Sequence, residues 1–134
     1  MSPRVRNALR AVLLASAVFA LRTVGAQEIY AGKFPQQTGE DLFRNICQGC
    51  HMPDAKGAIG AGAYPALAAN PRLAAAIYPI SVVLHGQRAM PPFGESLSDE
   101  QVANVINYVR TNFGNHYKDT VTPAAVAARR AAVR

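Results

Sequence analysis

Two cysteines stand three positions apart, and a histidine follows the second at once: Cys47-Gln48-Gly49-Cys50-His51. That order suits covalent attachment of a haem. Each thiol adds to one vinyl group on the same edge of a porphyrin, and the adjoining imidazole reaches the iron as its proximal ligand. Gly49 leaves the link between the two cysteines uncrowded where it meets the ring edge. Other uses of the pair fit poorly. A thioredoxin-like redox pair wants a βαβ setting, and this chain has neither clear strands nor a tryptophan. A zinc site needs further ligands at suitable spacing, and only His85 and His116 remain.

A haem iron takes a sixth ligand, and a thioether there closes the site and raises the reduction potential. Met52 adjoins the proximal histidine and cannot reach the opposite face of the ring. Met90 can, from Gly86-Gln87-Arg88-Ala89-Met90-Pro91-Pro92-Phe93-Gly94, where two prolines stiffen the backbone directly after the sulfur-bearing residue. The bland reading of Met90 is a gap-filling core residue. His85 is the competing ligand, although just before Gly86 it reads as a solvated group at a helix end. His116 reads as surface.

Short helices joined by Gly/Pro loops must position these groups. Thr38-Gly39-Glu40-Asp41 has the pattern of a capping box, and the helix after it carries Leu42, Phe43 and Ile46 into Cys47. Asn70-Pro71 predicts a second helix to about Ala76, and a third spans about Ile80 to Leu84 and stops at Gly86. Ser98 caps the clearest helix, whose stripe is Val102, Val105, Ile106, Val109 and Phe113, with Tyr108 beside it and Gly114 as the stop. Between His51 and Asn70, Gly57, Gly60, Gly62 and Pro65 form a loop of small residues. It reads either as backbone lying close to a haem edge or as a flexible surface loop.

The ends of the chain read differently from its body. Arg4, Arg6 and Arg10, an uncharged run from Ala11 to Leu21, and Val24-Gly25-Ala26 form the pattern of a secretory signal cleaved after Ala26. The run is too short for the roughly 20 residues of a membrane-spanning helix. The expected organisation is a signal over 1–26, an N-terminal segment over 27–37, a haem domain over 38–114 and a C-terminal extension over 115–134. The formal charge of +6 resides at the ends. Between Gln27 and Thr122 seven Lys and Arg face all eight acids, which leaves no basic surface for a nucleic acid.

The stretch from about Thr38 to Gly114 resembles class I c-type cytochromes: a helix running into Cys47–His51, a downstream methionine loop and a closing helix. More loosely, Leu84 to Gly94 and Leu97 to Gln101 resemble haem domains of bacterial periplasmic dehydrogenase cytochrome subunits. The resemblance implies an all-α cytochrome c fold around one covalently bound haem c, with Cys47, Cys50, His51 and Met90 as its attachment and ligand residues. It implies that Gly39 and Phe43 pack against Tyr108. It also implies that Pro65 offers its carbonyl to the proximal histidine, and it brings Arg88 near a propionate unless that arginine is simply solvated.

The function expected on this basis is a periplasmic one-electron shuttle with no bond chemistry of its own. Its donor would be a dehydrogenase and its acceptor an oxidase or another cytochrome. Two alternatives stay open: a fixed subunit of a dehydrogenase complex, and a haem sensor or enzyme with an open sixth position. The Ala- and Arg-rich stretch from Thr122 to Arg134 bears on the first alternative. It reads as a solvated end, or as an arm for a partner or an acidic lipid surface.

Overall fold

Thr38 ends an extended stretch and starts the first helical run by accepting the Asp41 amide at its hydroxyl. The reciprocal half of the expected capping box is absent, because the short Asp41 side chain takes the Thr38 hydroxyl proton instead of reaching back to the cap amide. The computed structural model describes residues 34–60 and 62–132; the expected signal and its cleavage point lie outside the described residues. The run comprises α1 (Gly39–Leu42), a π-helical turn (Phe43–Cys47) and α2 (Gln48–His51). The wide turn is marked by the Gln48 amide bonding back to the Phe43 carbonyl, and it ends on the first cysteine, Cys47.

After His51 the chain reverses at Met52, whose φ of +66° ends the helix. A minimal hairpin follows, β1 (Ala58–Ile59) paired antiparallel with β2 (Ala63–Tyr64), with Ala58 opposite Tyr64 and Ile59 opposite Ala63. The helix expected over Pro71 to Ala76 is a single 3-10 turn (Pro71–Leu73), capped by the Asn70 side chain on the Arg72 amide. Helix α3 (Ile77–His85) starts earlier than the expected Ile80. Pro79 is accommodated because it falls in the first turn, where an amide has no intrahelical partner to lose.

Helix α4 (Asp99–Thr111) has the full capping box: Gln101 donates its amide to Ser98 Oγ, and its side chain accepts from the Ser98 amide. Its stripe of Val102, Val105, Ile106 and Val109 is buried, together with Ala103. Phe113 falls beyond the helix at φ +57° and still packs inward. The Gln101 amide group also donates to the Phe34 and Gln36 carbonyls, both at 2.8 Å, tying the segment before Thr38 to the core.

The stretch read as a solvated end folds. Thr122 caps, and Pro123 opens, helix α5 (Pro123–Ala131), which packs on α3 and α4. Val126 is completely buried there, worth about 1.5 kcal/mol. Arg110 of α4 is 1% exposed and donates to the Leu73, Ala74 and Asp119 carbonyls and to the Asp119 carboxylate. Among the described residues no helix is long and apolar enough to cross a membrane.

Candidate haem site

Helix α1 meets α4 at a glycine. A Cβ on Gly39 would stand 2.2 Å from the Asn104 carbonyl oxygen and 2.6 Å from Tyr108 Cβ, so only a residue without a side chain allows this crossing. The expected contact of Gly39 and Phe43 with Tyr108 is present. Phe43 is buried with its ring 5.8 Å from that of Tyr108 and 4.7 Å from that of Phe113. Tyr108 meets Phe113 edge-on at 5.6 Å, which completes an aromatic trio. This packing fixes the helical run that presents the chemistry one to two turns later.

Cys47, Cys50 and His51 lie on that run as two free thiols and one imidazole. Cys47 is half-buried and Cys50 exposed. Burial, with Cys50 close by, pushes the Cys47 thiol up to about 12. It therefore stays protonated at neutral pH, the opposite of what a reactive redox pair requires.

His51 is 9% exposed, and its Nδ1 lies 2.9 Å from the Pro65 carbonyl oxygen. A carbonyl only accepts, so Nδ1 carries the proton and the lone pair of the neutral ring is on Nε2. Among the described residues nothing hydrogen-bonds to Nε2. The donor set thus fits a covalently attached haem: two unpaired thiols on one helical run and an imidazole whose Nδ1 is anchored and whose Nε2 could take a metal.

The loop that supplies Pro65 depends on Gly57. Its φ is +69°, and a Cβ there would stand 2.1 Å from the Tyr64 carbonyl oxygen and 2.8 Å from the Pro65 carbonyl carbon. Of the loop's glycines, this one serves close backbone approach, whereas Gly60 and Gly62 face open space. The His51 carbonyl accepts the Gly57 amide, and the Ala55 carbonyl accepts those of Leu67 and Ala68. The loop is therefore knotted to its own start. Gly57 was legible only as one small residue among several, and its special role comes from its pairing with residues seven to nine positions on.

Met90 lies on a separate loop, half-buried, and exchanges two 3.0 Å backbone hydrogen bonds with Gln87. This tight reversal uses Arg88 at φ +54° with its side chain exposed. Gly86, at φ +73°, lets the Met90 carbonyl and the Pro91–Pro92 backbone pass close by, with a Cβ there only 2.6 Å from the Met90 oxygen. The Phe93 and Gly94 amides then satisfy the Val83 and Leu84 carbonyls at the end of α3, groups that a helix terminus leaves without internal partners. His85 and His116 are both exposed, in keeping with solvated groups.

Sequence reasoning overlooked Arg130. It donates to the Gly94 carbonyl, to the Leu97 carbonyl at 3.1 Å and to Asp99 Oδ1 at 2.8 Å. The available signal was Thr122-Pro123 as a helix start, with Val126 and Arg130 four apart on one face.

A helical run that presents a thiol pair and an anchored imidazole is the arrangement of a c-type cytochrome. The chain belongs to the family described as cytochrome c oxidase, cbb3-type, subunit III, whose model matches residues 35–109. Haem c bound through cysteine is the cofactor that this membership brings. The chain is 32% identical over 114 residues to the cytochrome c subunit of a quinone alcohol dehydrogenase from Gluconacetobacter polyoxogenes, covering 75% of this chain and 24% of that protein. It is 35% identical over 109 residues to the gluconate 2-dehydrogenase cytochrome c subunit of Pantoea cypripedii, covering 70% and 24%. It is 32% identical over 108 residues to the fructose dehydrogenase cytochrome subunit of Gluconobacter japonicus, covering 69% and 22%. The chain thus spans about a quarter of the length of these curated relatives.

Proposed function

We propose that this chain is an exported, single-haem electron carrier, with haem c joined to Cys47 and Cys50 and its iron held between His51 and Met90. The observation that carries the reading is the 2.9 Å contact from His51 Nδ1 to the Pro65 carbonyl, which leaves Nε2 for iron beside two free thiols. When bound, the haem supplies a one-electron Fe(III)/Fe(II) couple. The protein binds the ring through its cysteines, orients the imidazole through Pro65 and offers a thioether that favours the reduced state. With both axial positions filled, no site remains for bond chemistry.

The donor in this reading is a dehydrogenase, a partner supported by the names of the relatives, and the acceptor is an oxidase or another cytochrome. The expected signal over 1–26 supports a periplasmic location. A fixed dehydrogenase subunit is the second reading, and the same relatives favour it. Against it stands α5, which spends Val126, Arg129 and Arg130 on its own domain rather than leaving them for a partner.

The test is expression of the whole chain in a host that exports it and attaches haem, followed by oxidised and reduced spectra with and without carbon monoxide. Haem that survives denaturation and a reduced spectrum that carbon monoxide leaves unchanged are the expected results. Rapid carbon monoxide binding by the wild type would move the sensor or enzyme reading to first place. Co-purification of the untagged protein with a dehydrogenase, stable through gel filtration, would favour the fixed subunit.

A further inference from the structure

Helix α5 lies outside residues 35–109, the span matched by the family model, yet it reaches the loop that bears the candidate distal ligand. Arg130 spreads its guanidinium over three acceptors there: the Gly94 carbonyl, the Leu97 carbonyl and Asp99 Oδ1. Opposite, the Phe93 amide donates to Val83 at 2.9 Å and the Gly94 amide to Leu84 at 3.1 Å. Gly94 is thus gripped from both sides, its amide by α3 and its carbonyl by α5. It also fits tightly, since a Cβ would stand 2.7 Å from the Leu84 oxygen and 3.3 Å from Arg130 Nη1.

Only Pro91, Pro92 and Phe93 separate this grip from Met90. The rings of the two prolines fix φ, so a short, stiff link transmits a displacement at Gly94 to Met90 with little slack. The brace is itself anchored. Val126 is fully buried, and Arg129 Nε donates to Ser81 Oγ at 2.8 Å. The 2.8 Å pairing with Asp99, at the start of α4, orients the Arg130 fork without supplying much energy at partial exposure.

We infer that Arg130 is a positioning residue for the distal ligand: α5 uses it to hold the Gly94 end of the loop so that Met90 stays on the iron. This rests on the reading of Met90 as the sixth ligand, and it adds that the C-terminal helix sets how firmly the ligand is held. Loss of the clamp leaves haem attachment and the His51 side intact, and it raises the fraction of time that the sulfur is off the iron. Carbon monoxide enters only in that off state, so its binding rate reports the population directly.

The experiment uses the full-length exported holoprotein as wild type, Arg130→Ala, Arg130→Lys and Arg129→Ala. Three quantities are read: the rate of carbon monoxide binding to the ferrous protein, the far-red sulfur-to-iron absorption band of the ferric protein, and the denaturation midpoint. Arg130→Ala is expected to bind carbon monoxide about tenfold faster and to weaken the sulfur band, as losing part of the hold of three charge-assisted hydrogen bonds would allow. Arg130→Lys, with a single ammonium in place of a fork, recovers only part of the difference. Arg129→Ala, which removes one anchor of the same helix without touching Gly94, accelerates binding less than Arg130→Ala. A lower midpoint for Arg130→Ala with a wild-type rate and band would overturn the inference, as would equal acceleration by Arg129→Ala. If Arg130→Ala fails to fold, the rate in Arg130→Lys decides by the same criterion. A wild type without the sulfur band that binds carbon monoxide at once overturns Met90 ligation itself, and the clamp with it.

Discussion

The loop from His51 to Asn70 and the loop from His85 to Leu97 each carry one candidate iron ligand or its support, and they are held in opposite ways. In the first, the contact that orients His51 comes from Pro65 within the same loop, and Gly57 makes room for it. The far end is pinned by Asn115, which accepts from the Asn70 amide and donates to the Leu67 carbonyl. In the second, Met90 closes a tight reversal on Gln87, and the segment after it is braced by α3 and, at Gly94, by Arg130 from 36 positions away. The first arrangement orients its ligand by a contact within the loop, with Asn115 pinning only the far end, whereas the second relies on a remote side chain for the segment that follows its ligand. A ligand held by its own loop is hard to release without unfolding the loop. One held by a docked helix can be loosened while the rest stands.

The largest effect expected from this difference is between His51→Ala and Met90→Ala. The first should yield little or no haem-loaded protein, read as loss of haem staining in a denaturing gel. The second should retain covalent haem, bind carbon monoxide readily and show a lower reduction potential. Equal haem loss in both would erase the distinction between the loops.

Arg110 belongs to neither loop, so Arg110→Ala separates loss of fold from loss of ligand. Removing this buried cation strands the Leu73 and Ala74 carbonyls and should cost about 4 kcal/mol in a denaturant titration. The ligand spectrum of the protein still folded should stay that of the wild type.

Gly57→Ala attacks the proximal loop alone. A Cβ against the Tyr64 oxygen at a φ of +69° should destabilise by about 3 kcal/mol. It should also shift the reduction potential by disturbing the hydrogen bond of His51, while carbon monoxide binding stays slow.

The smallest effect concerns Asp119, whose carboxyl is held below the usual range first of all by its hydrogen bonds from Arg110. A carboxylate with a lowered folded-state value contributes stability that is complete above its unfolded value of about 3.9 and is lost as pH falls through the folded one. Asp119→Asn removes that contribution. The wild-type advantage in denaturation midpoint should be present at neutral pH and shrink as pH drops below about 4, with no difference between ligand spectra.

Much of this was legible from residue order. The Cys47–His51 group is a covalent neighbourhood, and its chemistry is written in five consecutive positions. Helix α4 was equally plain, because Ser98, Gln101 and the stripe from Val102 to Val109 are local signals that tertiary contacts reinforce. The contacts expected for Gly39, Phe43 and Pro65 came from family resemblance, and the geometry contains them. The π-helical turn at Phe43–Cys47 was not legible, since no proline or glycine marks it. Helix α5 was misread as a solvated end, because nine residues rich in alanine and arginine form a weak helix until Val126 finds a core.

The sequence by itself determined which atoms can bind a haem and where the strongest helices begin, because thiol and imidazole chemistry and helix caps act between residues a few positions apart. Only the tertiary structure decided which glycine admits the Pro65 carbonyl to His51 and which arginine grips the segment after Met90. Those choices depend on what backbone lies within a few ångströms after folding, and chain segments distant in sequence meet there only through packing.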